Sequence, residues 1–394
     1  MKKHLLPLVL LLTLFLPSCA STPTVIPRDT PVVVEIPTPT IIPKTSTEVT
    51  VTEPVSQEIT VVDRVGRMIT LPAPARRVVA IGPGALRLYV YAGNLDYVVG
   101  VEEVETGDVS GKPYMLANPD LAKLPIIGLG GPQNAPDAER LLTVTPDVIF
   151  STYATDAATA DELQTQTGIP VVVLSYGGFG ITSIFGEDIQ ASLSLIGQVI
   201  GDTSKAERAN DFIQKAHEDL KGRTKDIPEN EKPSVYVGGL GARGAHGIES
   251  TQGQYALLDV IHAKNVVDET GKSGSVMIDK EKLLEWNPDY LFIDLGGYSA
   301  VVEDYQKNPD FYLALAAVQN GRVYSQLPYN YYNTNIDTAI ANAYFIGSTI
   351  YPFAFSDIDP IQKADEIYRF LLGKPLYAIM AEKYGGFGEL KLGK

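Results

Sequence analysis

Cysteine, histidine and basic residues are all scarce in this 394-residue chain. Cys19 is the only cysteine, so no intramolecular disulfide, no cysteine-based zinc site and no iron–sulfur cluster can form. Beyond the first twenty residues only His217, His246 and His262 remain. Neither His217 nor His262 has a ligand-like partner by spacing, so no metal ligand is assigned directly and a bare-metal centre of several histidines is not expected. Lys and Arg total 32 against 47 Asp and Glu, a formal net charge of -15. Phosphate backbones are held by clustered cations, and no such cluster is visible, so no nucleic-acid partner is expected. The chain also lacks a G-x-S-x-G elbow, an H-E-x-x-H pair and a histidine beside a clear nucleophile. Nothing points to an enzyme, and no cofactor is expected.

What is present is the composition of a globular protein, 45% hydrophobic and 20% charged, long enough for two ordinary domains. Residues 1–19 read as a targeting segment: Lys2 and Lys3, the apolar run LLPLVLLLTLFLP, then Ser18 and Cys19. The run is short for a membrane span and suits a signal peptide. LPSC resembles a bacterial lipobox, which makes Cys19 the expected lipidation site and leaves the protein outside the cytoplasm, anchored to the membrane. Residues 20–57 are rich in Thr, Pro and Val without helical periodicity. They read as an extended tether with a reach on the order of 100 Å.

Residues 58–185 read as an α/β lobe. A hairpin turns at Arg64–Gly66, apolar strands are expected at 78–81, 97–101, 147–150 and 170–175, and a Gly-Pro-Gly turn leads into a helix ending near Ala92. Residues 186–222 carry the longest helical pattern, with a weak point near Gly201 and Asp202. From 223 to 394 the α/β pattern restarts with SVYVGG, a glycine-rich loop, DYLFIDLGG and RVYSQL, then a C-terminal helical region.

One phrase occurs twice. ERLLTVTPDVIF, from Glu139, is echoed by EKLLEWNPDYLF, from Glu281. Each reads as a short helix stopped by Pro-Asp and followed by a buried strand. Helix-Pro-Asp-strand units recur in α/β proteins, so the phrase alone does not decide. The flanks follow the same order in both halves, strand, glycine loop, helix and a short VV segment, which points to two matching lobes.

The combination of VVDRVGRMITLPAPARRVVAIGPGALRLYVYAGNLDYVVGV with LEWNPDYLFID and AAVQNGRVYSQL resembles the substrate-binding proteins of metal-chelate ABC importers, the ferric-siderophore, haem and cobalamin group of class III periplasmic binding proteins. The likeness runs from about Glu58 to Gly373. It implies two Rossmann-like α/β lobes joined by one long bridging helix, with a ligand cleft between them. It implies a monomer that captures a metal chelate, a ferric siderophore first, and passes it to an ABC permease dimer. Cobalamin, haem or an oxyanion such as molybdate are the alternative ligands, and a sensor without a permease is the remaining alternative. In this family an acidic residue on each lobe docks on permease arginines, and the matching positions are Glu139 and Glu281.

Ligands of open α/β sheets sit beyond the carboxyl ends of the strands. That rule selects Gly82, Pro83, Gly84, Tyr153 and Tyr176 in the first lobe, and Arg243, His246, Tyr298, Tyr329, Tyr331 and Tyr332 in the second. Tyr153 is better read as a rim residue. Tyrosine rings can pack on a chelate's body while the hydroxyl makes a hydrogen bond or, on a ferric centre, becomes a ligand; Arg243 suits an anionic group, and His246 can donate a hydrogen bond or complete a metal's coordination. GLGARG, from Gly239, satisfies G-x-G-x-x-G but does not open a helix, so it reads as a flexible ligand loop and not a dinucleotide site. In the duplicated phrase Leu-Leu and Pro-Asp are assigned to folding and only the two glutamates to function.

Overall fold

The computed structural model describes residues 57–131, 133–177, 184–241 and 244–392. Cys19, Arg243 and all of the expected tether except Gln57 lie outside the described residues. No helix among the described residues is long and apolar enough to cross a membrane.

The first lobe opens with the antiparallel hairpin β1 (Gln57–Val62) and β2 (Met68–Ala73). Its sheet is parallel, in the order β3 (Val78–Ile81), β4 (Val148–Ser151), β5 (Val171–Val173). Every residue of these three strands is buried, which is why they read as unbroken apolar runs. Around the sheet lie α1 (Ala85–Ala92), α2 (Pro113–Ala117), α3 (Ala138–Thr143) and α4 (Ala157–Thr167). The strand expected at 97–101 is reduced to two isolated bridges, Val98 to Val78 and Val101 to Ile126.

The expected single helix over 186–222 is two helices, α5 (Glu187–Ile200) and α6 (Ser204–Thr224). Gly201 takes a left-handed φ of 67°. The Asp202 carboxylate then accepts from Ser204 N and Oγ at 3.0 and 2.6 Å, starting α6 afresh. The two helices fold back on each other: Asn210 Nδ2 donates to the Gln190 carbonyl and to Ser194 Oγ, both at 3.0 Å. α5 belongs to the first lobe, where Ser192 Oγ accepts from Ser175 N at 2.9 Å. The bridge is α6 alone. Near its start Lys205 Nζ donates to the carbonyls of Val90 and Gly93. At its end Arg223 pairs with Asp357 at 2.6 Å and Thr224 Oγ1 lies 2.9 Å from His262 Nδ1. Its 21 residues span about 31 Å.

The second lobe contains β6 (Ser234–Gly238), β7 (Ser250–Gly253), α7 (Ala256–Asp259), β8 (Lys264–Asn265), β9 (Gly274–Met277), α8 (Lys280–Trp286) and β10 (Tyr290–Asp294). It continues with α9 (Tyr298–Lys307), α10 (Pro309–Ala314), α11 (Ala316–Gln319), β11 (Val323–Gln326), α12 (Ile336–Ile350), α13 (Pro360–Leu372), α14 (Tyr377–Tyr384) and β12 (Gly388–Glu389). The sheet order is β12-β11-β10-β6-β8, parallel apart from the antiparallel edge strand β12, and β7 pairs with β9 separately. β7, not a helix, follows the GLGARG loop.

The duplicated phrase is the same device in both lobes. Asp137 caps α3 by accepting from Arg140 N at 3.0 Å, and Asp279 caps α8 by accepting from Lys282 N at 2.7 Å. Thr145 and Asn287, each just before the proline, are left-handed with φ of 41° and 43°. The aspartate after the proline then clasps the start of the lobe's first sheet strand. Asp147 Oδ2 accepts from Arg76 N and Arg77 N at 2.7 and 2.9 Å, and Asp289 Oδ2 from Ser234 N and Oγ at 2.8 and 2.7 Å. The assignment of Leu-Leu to folding needs correction. Leu141 and Leu283 are 0% and 1% exposed, whereas Leu142 and Leu284 are 46% and 38% exposed.

Candidate functional site

The strands of each parallel sheet end together, at Ile81, Ser151 and Val173 in the first lobe and at Gly238, Asp294 and Gln326 in the second. A strap, residues 329–335, leaves the end of β11, turns through Tyr332 and Asn333 at φ of 50° and 71°, and enters α12. Two consecutive non-glycine residues in the left-handed region are costly, on the order of 1–3 kcal/mol each. The surroundings pin them there. Arg87, on α1 of the first lobe, donates from Nη2 to the Tyr331 carbonyl at 2.8 Å and from Nη1 to the Tyr332 carbonyl at 3.2 Å. Asn333 Nδ2 donates to the Pro83 carbonyl at 3.2 Å, and Asn335 Nδ2 to the Gly111 carbonyl at 2.8 Å. On its own lobe the strap is held by Asn330 Nδ2, which donates to the Gly241 carbonyl at 2.9 Å. It therefore crosses from one lobe's strand ends to the other's.

The floor beneath the strap is charged and buried. Glu102 Oε2 accepts from Gly82 N and from the Tyr332 hydroxyl, both at 2.9 Å, and that hydroxyl in turn accepts from Gly131 N at 2.9 Å. Burial pushes the Glu102 carboxyl up to about 7, against the opposing effect of these two hydrogen bonds. Glu105 is buried beside it and accepts from the Tyr114 hydroxyl at 2.7 Å, with Lys112 Nζ 3.6 Å away. Lys112 also donates to the Val104 carbonyl and lies 5.8 Å from the ring centroids of both Tyr331 and Tyr332. Burial raises the Glu105 pKa and lowers that of Lys112. In the second lobe Asp294, at the end of β10, is pushed up to about 7 by burial while bonded to Gln326 Nε2 at 3.0 Å and Gly296 N at 2.9 Å. Arg87 Nε and Asn335 Oδ1 are buried and find no hydrogen-bond partner among the described residues.

The expected residues do not all meet. Pro83, Gly84, Tyr331 and Tyr332 do meet at the strap. Gly82 and Gly84 have φ of 88° and 81°, and a Cβ on Gly84 would come 2.6 Å from the Tyr176 hydroxyl, so the turn admits only glycine there. Tyr331 is 38% exposed, its ring lying against Gly111. Tyr176 and Tyr329 are corrected to internal positions. The Tyr176 hydroxyl donates to the Gly84 carbonyl at 3.0 Å and accepts from Arg87 at 3.2 Å, and Tyr329 is buried against Tyr255 with ring centroids 6.3 Å apart. Tyr298 is also corrected: it is the first residue of α9 and not a loop residue, half-buried against the core. His246 is half-buried in the loop after β6. Arg243 lies outside the described residues.

Arg87, Glu102, Glu105, Lys112 and Asn333 were not singled out from the sequence. Two signals were available. Arg87 is the one charge in the apolar helix ALRLYVYA, and Glu102 begins an acidic triplet-like run directly after the apolar VVGV. A separate concavity of about 330 Å³ lies between α2 and α14, lined by Ser110, Leu116, Ile379, Glu382 and Lys383. Through Ser110 and Gly111 it adjoins the surface on which Tyr331 rests. Among the described residues no group of three or more His, Cys, Asp or Glu side chains is arranged to hold a metal ion.

The sequence profile of one family, described as periplasmic binding protein, matches residues 78–328. The chain belongs to that family. As a periplasmic binding protein it is a solute-binding component of the ABC-transporter class that works outside the cytoplasm. Solved structures agree on the fold. A periplasmic solute-binding protein from Veillonella parvula superimposes with a TM-score of 0.64 at 18% identity, covering 83% of this chain and 97% of its own. The TroA-like periplasmic binding protein FepB from Veillonella parvula gives 0.61 at 21% identity, covering 84% and 99%. The molybdate-bound periplasmic binding protein MolA from Haemophilus influenzae gives 0.60 at 19% identity, covering 80% and 98%. At these identities the likeness establishes the two-lobed α/β fold. No curated protein matches the chain.

Proposed function

We propose that this periplasmic binding protein captures a metal chelate, a ferric siderophore first, in the cleft between its lobes and delivers it to a membrane permease. The supporting observation is the tyrosine-bearing strap that joins both lobes' strand ends, with the Tyr331 ring exposed on it. An exposed aromatic ring suits packing against the organic body of a ligand-wrapped metal. The lipobox-like Cys19 is the anchor in this reading. Glu139 and Glu281 are the docking residues, one on each of two matched helices.

Calorimetric titration of the full chain in detergent with a panel of ferric siderophores, haem, cobalamin and molybdate tests the reading. Saturable binding of a ferric chelate is the expected result. Binding of cobalamin, haem or molybdate alone reassigns the ligand, and heat from none of the panel refutes the reading. Calorimetry is preferred to fluorescence because the sole tryptophan, Trp286, ends α8 with its indole N–H donating to Glu269 at 2.9 Å, within the docking segment.

A further inference from the structure

The two copies of the duplicated phrase share a pattern of exposure as well as a pattern of folding. In each, the aspartate caps the helix, the first leucine is buried, and glutamate and second leucine are exposed. Glu139 and Leu142 are three residues apart on α3, as are Glu281 and Leu284 on α8, a spacing that puts both side chains on one helix face. The basic residue between them is already committed: Arg140 pairs with Asp137 at 3.2 Å, and Lys282 with Glu285 at 2.8 Å. Neither glutamate side chain has a hydrogen bond or ion pair among the described residues. Among the described residues each lobe thus presents a carboxylate with no intramolecular cation and, one turn along, a partly exposed aliphatic side chain.

Folding does not account for these leucines. The helices are built by the first leucine, the caps and the Pro-Asp clasp, and the exposed part of Leu142 and Leu284 adds nothing to the core. A lone exposed leucine is ordinary, but the same one at the same step of the same motif in two lobes is a matched pair. The charge beside it identifies what covers it: a partner that presents a cation flanked by apolar surface, and presents it twice. Two equivalent half-sites on one partner are what a permease built of two like halves offers.

We propose that Leu142 and Leu284 are the apolar half of a doubled docking contact, each seating in a hydrophobic socket of one permease half while Glu139 or Glu281 pairs with the adjacent cation. The inference rests on the permease reading given above. It assigns affinity to the leucines and register to the glutamates, because a rim ion pair contributes little beside buried apolar area.

The test is photo-crosslinking in the cells that make the protein, with benzoylphenylalanine placed singly at 139, 142, 281 and 284 and the adducts identified by mass spectrometry. The expected result is the same polytopic membrane protein captured from 142 and from 284. The double variant Leu142→Ala, Leu284→Ala, carrying the crosslinker at 139, should then give about tenfold less adduct at equal protein level. Capture of a membrane protein from 139 and 281 but not from 142 and 284, or an adduct yield that the double variant leaves unchanged, overturns the leucine assignment and leaves the permease reading standing. No membrane protein at any of the four positions overturns both. Capture of a soluble protein from 142 or 284 also overturns the assignment.

Discussion

Arg87 Nη2 donates to the main-chain carbonyl of Tyr331 at 2.8 Å, so a fully buried cation of the first lobe holds the backbone of the second. Replacing the guanidinium with the Arg87→Met thioether strips two carbonyls and the Tyr176 hydroxyl of their donor while keeping most of the volume. The loss of charge-assisted hydrogen bonds inside the protein should cost about 3 kcal/mol, read as a lowered urea midpoint at constant m-value. An unchanged midpoint would mean that the strap is not under tension against Arg87.

Glu102 should make stability fall with rising pH. Its folded pKa, about 7, lies above the ordinary value of 4.5, so the native state keeps a proton that the unfolded chain has released. The stabilising difference is fully present below about 4.5 and is lost as pH rises through about 7, in total roughly 3 kcal/mol. Glu102→Gln keeps an acceptor for Gly82 N and the Tyr332 hydroxyl but cannot ionise. Urea unfolding at intervals from pH 4.5 to 8 should show variant and parent diverging, with the variant increasingly favoured toward pH 8. Parallel curves would assign the titration elsewhere.

The two Pro-Asp clasps should be energetically equivalent. Asp147→Ala frees Arg76 N and Arg77 N, and Asp289→Ala frees Ser234 N and Oγ. Each loss should cost about 1–2 kcal/mol. Because the two sites share no partner, the double variant should lose the sum. Chemical denaturation of the three variants checks both statements, and a negligible effect at one site would break the equivalence of the lobes.

Two tyrosines of one strap should behave differently toward ligand. Tyr331→Ala removes an exposed ring and should weaken the calorimetric affinity for the bound chelate by about tenfold or more. Tyr329→Phe alters a buried hydroxyl beside Tyr255 and should leave affinity unchanged. Equal losses, or none, would place the ligand away from the strap.

The sheets were legible because VVAI, VIFS and YLFID are short apolar runs between turn signals, and the paired lobes were legible from one repeated phrase. α12 was not resolved as an element of its own. It is buried on nearly every face, so its sequence carries no amphipathic period to detect. The helix break at Gly201 was visible as a weak point, but whether it kinks one helix or separates two depends on the fold-back contact of Asn210 with α5, which no local pattern encodes. The strap's tyrosines attracted attention by density, yet which of them faces outward follows from backbone turns at Tyr332 and Asn333, left-handed positions that a glycine would normally mark. Arg87 meets Tyr331 across most of the length of the chain, and only the folded lobes bring them together.

The form of that meeting bears on how such a protein diversifies. Arg87 grips the strap by its carbonyl oxygens, which every amino acid supplies, and leaves the Tyr331 side chain uncommitted to the grip. Substitution at 331 can therefore alter the surface shown to a ligand without loosening the lobes. A clamp that acts on the main chain makes this position a natural place for specificity to drift, or to be engineered, at small cost to the scaffold.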